Sequence, residues 1–353
     1  MLALLDKQTG INRGQFELSV ALPINAKIKP ALVDQGINCI ELPFLAESSF
    51  SRKAVQVLLN EMKNLQPDIV HTHAALSGRI AAWRYGKCKI VHTRHSVFEP
   101  ARWKTRFPFR QVFGMINNRL SHKIIAVSPA AKDNLTAIGT AEEKFAIIYN
   151  GMPPAKEFGT TELTVLREKY NIPKDAFVLA QIARLTHVKG QDDVLDAVKD
   201  LPNTLVLMAG DGENRPHLEA RIQNEGITNV RLLGFVTEVE ELLAVMDAQL
   251  SASFGTEATS LALIQGMSVG KPAIATNYGG NPYVISHKEN GLLVPTRNPQ
   301  ALKNAICLLQ NDTELYVKTS AGARKIYQLR FTVEEMVSKT EQLYKELLSY
   351  EKY

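Results

Sequence analysis

Cysteine is scarce: Cys39, Cys88 and Cys307 are three thiols in a chain of 353 residues. An odd number so far apart builds no disulfide framework. It fits a reducing compartment and leaves each thiol as a small buried apolar group. No C-x-x-C or H-E-x-x-H pattern occurs, so no protein-built metal site is expected. No apolar run approaches the roughly 18 residues of a bilayer span. The opening stretch, MLALLDKQTG, has neither the basic region nor the long apolar run of a secretory leader.

What is present is ordinary for a globular protein, with 45% apolar and 22% charged residues. The length points to two domains with cores that need no staple. Lys and Arg number 41 against 36 Asp and Glu, a net charge of +5. The imbalance is local: residues 1–150 hold 20 cations and 11 anions, the remainder 21 and 25. The basic part either favours anionic partners, such as lipid headgroups or phosphorylated acceptors, or is a solvated surface with no specific role.

Short apolar runs alternate with helix-period stretches throughout. One series of expected strands comprises Phe16–Leu22, Asn38–Leu42, Asp68–Thr72, Lys89–Thr93, Lys123–Val127 and Phe145–Tyr149. A second comprises Phe177–Ile182, Thr204–Ala209, Val230–Leu233, Ala248–Ala252, Pro272–Thr276 and Leu292–Val294. Val55–Asn64, Gln191–Val198 and Ser260–Met267 read as amphipathic helices between them. Such alternation implies an α/β protein with parallel sheets covered on both faces. The break falls in the Gly- and Pro-rich stretch Asn150–Pro173, giving expected domains at 1–155 and 156–330. A last helix over 331–353 opens on a Thr332/Glu335 capping box. It serves the second domain or crosses back to the first.

The stretch Ser251–Pro282, SASFGTEATSLALIQGMSVGKPAIATNYGGNP, is the most informative. A strand ends in small residues and Glu257, and Thr259 and Ser260 read as caps of the following helix. Free N–H groups at such a helix start can hold phosphate oxygens. Glu257 can accept sugar hydroxyls, or simply complement the helix dipole. In ARLTHVKG, Arg184 and Lys189 flank a tight connection after a strand. They suit a diphosphate as fork and point charge, or are solvated loop cations. MAGDGE marks a sharp backbone turn. In the first half, His71, His73 and His92 read as satisfied structural histidines. His95 stands at a strand tip and can hydrogen-bond or shuttle a proton. No Ser/His/Asp or Cys/His set assembles, so no covalent mechanism is expected.

These residues resemble glycosyltransferase family 4, the large retaining group with the GT-B fold. The resemblance runs from about Phe16 to the end, through DIVHTH, KIVHTRH, KIIAVS, IIYNGM, IARLTHVKGQDDVLDA, LVLMAGDGE, VRLLGF and the stretch from Glu257 to Pro282, in the family's order. It implies two Rossmann-like domains facing across a cleft, with a nucleotide-sugar donor on the C-terminal one and most of the acceptor on the N-terminal one. It places Arg184 and Lys189 on the diphosphate. Glu257, the first acid of an E-x7-E motif, falls on the donor sugar. The backbone of Thr259, Ser260 and Leu261 falls on phosphate and sugar, and His95 on the sugar from the N-terminal domain. The base would meet backbone near Gly234, Phe235 and Val236. No cofactor and no metal are implied, since cations and amides stabilise the leaving diphosphate. Cytoplasmic location is implied, with a peripheral position at the inner face of the membrane as an alternative.

Two departures stand out. The second acid of the motif is replaced by Gln265, where both ribose hydroxyls would be accepted. Loss of the charge should weaken donor binding by about 1–2 kcal/mol. Also, only LALLDKQTG precedes the strand at Phe16–Leu22, so the family's first strand and glycine-rich loop are expected to be missing.

Arg102–Leu120 interleaves five cations with Trp103, Phe107, Phe109, Phe113 and Met115. It can lie on an anionic membrane bearing a lipid-linked acceptor. The plainer expectation is a cleft-side helix whose aromatics join the core. Nothing beside it indicates nucleic acid. The expected function is transfer of a sugar to a cell-surface polysaccharide or glycolipid. The alternatives are a non-catalytic member that binds a nucleotide sugar or a partner, and a GT-B epimerase or phosphorylase.

Overall fold

The computed structural model describes residues 2–24, 26–42, 50–73, 75–97 and 100–349. The chain forms two compact units, one of Met1–Gly151 with Val333–Tyr353, the other of Met152–Thr332.

The second unit carries one six-stranded sheet, and the first unit's six strands precede it in the chain. In chain order the first unit holds β1 (Ser19–Pro23), β2 (Asn38–Leu42), β3 (Ile69–His73), β4 (Lys89–Arg94), β5 (Lys123–Ala126) and β6 (Phe145–Ile147). The second holds β7 (Phe177–Ile182), β8 (Thr204–Ala209), β9 (Val230–Gly234), β10 (Ala248–Ser251), β11 (Ala273–Thr276) and β12 (Gly291–Val294). Every strand pairing is parallel.

The second sheet runs β12-β11-β10-β7-β8-β9. Its strands are mostly apolar because both faces are covered, and the buried Gln181 and Gln249 donate their side-chain amides to backbone carbonyls. Alternate residues of each strand point to opposite faces. Leu179, Val206 and Met208 therefore join one apolar cluster with the helices Gln191–Val198 and Pro299–Asn311. Val178, Ala180, Leu205 and Leu207 join another with Leu242 and Leu243. From β7 the chain runs outward to β8 and β9 and then returns to β10 on the other side of β7, so the strand order reverses between β7 and β10. Ligands of such sheets bind beyond the carboxyl ends of the strands at that point.

The first unit is built differently. β1 and β2 form a two-stranded sheet, and β3-β4-β5-β6 a four-stranded one. Among the described residues no strand joins them. The helix Val333–Ser349 lays Met336, Val337, Leu343, Tyr344 and Leu347 against Val91, Ile125 and Ile148 of this unit. The expected strand Phe16–Leu22 is corrected to Ser19–Pro23: pairing starts where Ser19 meets Asn38, while Phe16 and Leu18 pack against the cluster under the last helix. Among the described residues no helix is long and apolar enough to cross a membrane.

Candidate functional site

In the second unit the loops after β7 and β10 come together. Leaving β7, the chain makes a short turn at His187–Lys189 and enters the helix Gln191–Val198 through Gly190, whose φ is +70°. A Cβ there would stand 2.2 Å from the Ala252 carbonyl oxygen, so only glycine lets the two loops approach this closely. Phe254 donates its backbone N–H to the Val188 carbonyl at 2.9 Å. The buried Gln181 donates from Nε2 to the Lys189 carbonyl at 2.8 Å.

This contact delivers Lys189 to Glu257. The ammonium Nζ donates to Glu257 Oε2 at 2.7 Å and to the Thr256 carbonyl at 3.1 Å. Ser253 Oγ donates to the same Oε2 at 3.0 Å. The two side chains are only 15% and 10% exposed, so the pair is weakly screened and its partners are strongly dependent on one another. Both bonds converge on Oε2. Oε1 makes no hydrogen bond among the described residues and is the oxygen available to a hydroxyl.

Immediately beyond Glu257 the helix Leu261–Ser268 begins. Ser260 is its N-cap and accepts from the Leu263 amide at 3.4 Å. The expectation that Thr259 also caps it is corrected: its hydroxyl donates to the Ala258 carbonyl at 2.7 Å. The first amides of the helix have no intrahelical acceptor and carry the positive end of its dipole. The turn before the helix is braced from behind, Gly280 donating its N–H to the Glu257 carbonyl at 2.8 Å. A Cβ at Gly280 would lie 1.8 Å from the Ala258 oxygen.

The other expected donor-side residues are placed as follows. Arg184 is exposed, and its guanidinium makes no hydrogen bond or ion pair among the described residues. Its carbonyl is held by Gln191 Nε2 at 3.0 Å. Unlike Lys189, it is therefore not brought onto Glu257. Gln265 lies in the middle of the same helix, half-buried, with its side-chain amide unbonded among the described residues. Gly234 ends β9 with φ +73° and accepts from the Gly210 amide at 2.7 Å. Phe235 follows, 81% exposed, and Val236 packs back on the core.

The first unit gathers its histidines. The β3–β4 register sets His71 beside Val91 and His73 beside Thr93. The Tyr344 hydroxyl, kept protonated because burial pushes its phenol up, donates to His71 Nδ1 at 2.5 Å. His71 Nε2 then carries the ring proton and donates to Thr93 Oγ1 at 2.6 Å. His73 stacks on His71 and on His95, and His73 Nδ1 is bonded to His95 Nε2 at 2.7 Å. Burial is the first cause that pushes His73 down to about 2, His71 and His92 to about 3, and His95 to about 4. All four rings are neutral near pH 7, although part of His95 meets solvent.

Sequence patterns singled out Glu257, Lys189 and Ser260, and these come together. They missed Ser253 and Gly280, whose roles depend on close packing between chain segments, and they missed the His73–His95 bond. The plainer expectation for Arg102–Leu120 is corrected. In the turn Arg102–Thr105 and the helix Phe109–Arg119 only Gly114 is buried, and Trp103, Phe107, Phe109, Val112 and Met115 are exposed. Among the described residues no group of three or more His, Cys, Asp or Glu could hold a metal ion.

Comparison with known proteins bears on both units. The profile described as "Glycosyltransferase Family 4" matches residues 25–156, and "Glycosyl transferases group 1" matches 164–326. The chain is similar to N-acetyl-alpha-D-glucosaminyl L-malate synthase of Bacillus anthracis, 27% identical over 81% of this chain and 76% of that one. It is similar to the UDP-Gal:alpha-D-GlcNAc-diphosphoundecaprenol alpha-1,3-galactosyltransferase of Escherichia coli, 24% identical over 94% and 89%. In three dimensions it resembles Anabaena HepE, solved in complex with UDP-glucose, with a TM-score of 0.82 at 24% identity over 99% and 95% of the chains. Nothing in these comparisons favours a non-catalytic binding member or an epimerase.

Proposed function

The chain belongs to glycosyltransferase family 4 and has its GT-B fold, and on that premise we propose that it transfers a sugar from a nucleoside-diphosphate donor, with retention and without a metal ion. One observation carries this reading: the Lys189–Glu257 pair at the start of the helix Leu261–Ser268, beyond β7 and β10. Lys189 and the amides of Ser260 and Leu261 meet the diphosphate and stabilise the charge that grows on it as the sugar leaves. Arg184, unengaged, adds its fork to the same group. Glu257 Oε1 accepts a donor-sugar hydroxyl, orienting the anomeric carbon. Gln265 accepts from the ribose, and the backbone at Gly234–Val236 lies along the base. The neutral His95 hydrogen-bonds a sugar hydroxyl. The acceptor hydroxyl attacks on the face the diphosphate leaves, so configuration is kept.

A saccharide or lipid-linked acceptor of the cell envelope fits this reading, since the Escherichia coli relative is named for a diphosphoundecaprenol-linked sugar. Uridine donors are the first to screen, HepE having been solved with UDP-glucose. The exposed aromatics of Arg102–Leu120 support peripheral contact with an anionic membrane from the cytoplasmic side. Residues 100–132 contain four arginines, three lysines and no acid. Sedimentation with anionic vesicles, but not zwitterionic ones, is expected, and equal failure with both would remove the membrane contact.

Incubation with UDP-, GDP- and ADP-sugars and a glycolipid acceptor tests the main reading. An α-linked product from an α-linked donor, formed equally well with a chelator present, is expected. An inverted product, or transfer that stops on chelation, would contradict it.

A further inference from the structure

Away from the Lys189–Glu257 pair, the first unit buries a cation with no counter-charge among the described residues. Arg79, on the helix Leu76–Tyr85 that follows β3, is only 9% exposed. A guanidinium has five N–H donors. Among the described residues the Arg79 guanidinium makes one hydrogen bond, from Nη1 to Asn117 Oδ1 at 3.3 Å, and its buried Nε finds no acceptor. Among the described residues no carboxylate lies within ion-pair distance of it. The charged group it does feel is Arg94, of the same sign, at the end of β4. Burial and that repulsion together push Arg79 down to about 10. Arg94 donates from Nη2 to Asn134 Oδ1 at 2.9 Å. Asn117 is itself fixed, since its Nδ2 donates to Thr140 Oγ1 at 3.0 Å and so turns Oδ1 to Arg79. His92, beside them, is buried and neutral.

Burying a guanidinium with one neutral partner is costly, because neither Coulomb attraction nor hydrogen bonding replaces its lost hydration. The partly buried Arg221 of the second unit is arranged otherwise: it holds Asp192, Asp196 and Glu225. We infer that Arg79, with Asn117 and Arg94 around it, is an oxyanion subsite that takes the phosphate or carboxylate group of a small ligand. The planar fork with its unused N–H donors matches two oxygens of such a group, and a buried setting makes each bond count more than at the surface. The inference does not rest on the Lys189–Glu257 reading, which concerns the other unit.

Thermal unfolding at constant ionic strength tests it, with inorganic phosphate, acetate or chloride as the added anion. A ligand that binds the folded state alone raises Tm in a saturable way. Phosphate or acetate, not chloride, is expected to do so, and the stronger of the two identifies the group. Asn117→Asp supplies a fixed carboxylate to Arg79, and the Thr140 hydroxyl, which accepts from the Asn117 amide, can turn to donate to its second oxygen. It should raise Tm in oxyanion-free buffer and weaken the phosphate response roughly tenfold or more. Arg79→Met, which removes the cation, should lose the same response, and Lys189→Ala should keep it. A wild-type Tm no more responsive to phosphate and acetate than to chloride would overturn the subsite. So would a response unchanged in Asn117→Asp and Arg79→Met, or one lost only in Lys189→Ala.

Discussion

The two units solve the same folding problem with different use of polar residues. In the second, the strands carry no buried titratable group among the described residues: β8 is buried along its whole length, and the chemistry sits in the loops at the strand ends. In the first, polar groups occupy the sheet itself. His71, Thr72, His92 and Thr93 lie on paired strands, Tyr344 reaches in from the last helix, and Arg79 is buried behind them. The sheet is also in two parts. A scaffold sealed by apolar residues isolates its site, so damage to the site leaves the fold standing. A scaffold with titratable groups in its layers ties stability to protonation and ligands.

The largest expected effect separates these cases in the second unit. Lys189→Ala should lower kcat by about 10²–10³-fold, the usual result of removing one preorganised donor to a developing anion. Glu257→Ala should do similar damage. The double variant should cost far less than the sum of the two, because each single change strands the other's buried charge. Additive losses would show that the pair does not act as one.

Next comes acid. The folded unit keeps His71, His73, His92 and His95 neutral well below the ordinary histidine value of 6.5, whereas the unfolded chain takes up protons from about 6.5 downward. Stability is therefore complete above that value and falls as pH drops toward about 4. Hydrogen exchange at pH 7 and pH 5 should show protection lost in β3 and β4 before β7 and β8. Equal loss in both units would remove the contrast.

Gly280→Ala should follow, costing about 1–3 kcal/mol by forcing the Ala258 carbonyl aside. Chemical denaturation should show the loss, with donor affinity falling as well. The smallest effect is a gain. Gln265→Glu should tighten nucleotide binding by about 1–2 kcal/mol, read by calorimetry, since a carboxylate accepts more strongly than an amide.

The same contrast decides what could be read from the sequence. Strands buried on both faces are predominantly apolar runs, and Phe177–Ile182 and Thr204–Ala209 stand at the expected residues. Glu257 and Lys189 were legible because strand-end loops with charged residues before a helix carry a chemical meaning at fixed spacing. Their union at 2.7 Å was not, because it depends on Gly190 letting two loops touch. His73 and His95 are 22 residues apart and meet through strand register, which composition does not encode. The Arg102–Leu120 pattern showed an amphipathic stretch, but periodicity cannot say whether its apolar side is covered, and here it is not.

Calorimetric titration of a nucleoside diphosphate into the wild-type protein and into Lys189→Ala addresses the account at its centre. Binding should weaken by about 1.5–3 kcal/mol, roughly ten- to a hundredfold, with the far-ultraviolet spectrum unchanged. Equal affinity in two equally folded proteins would mean that the ammonium beside Glu257 does not hold the diphosphate.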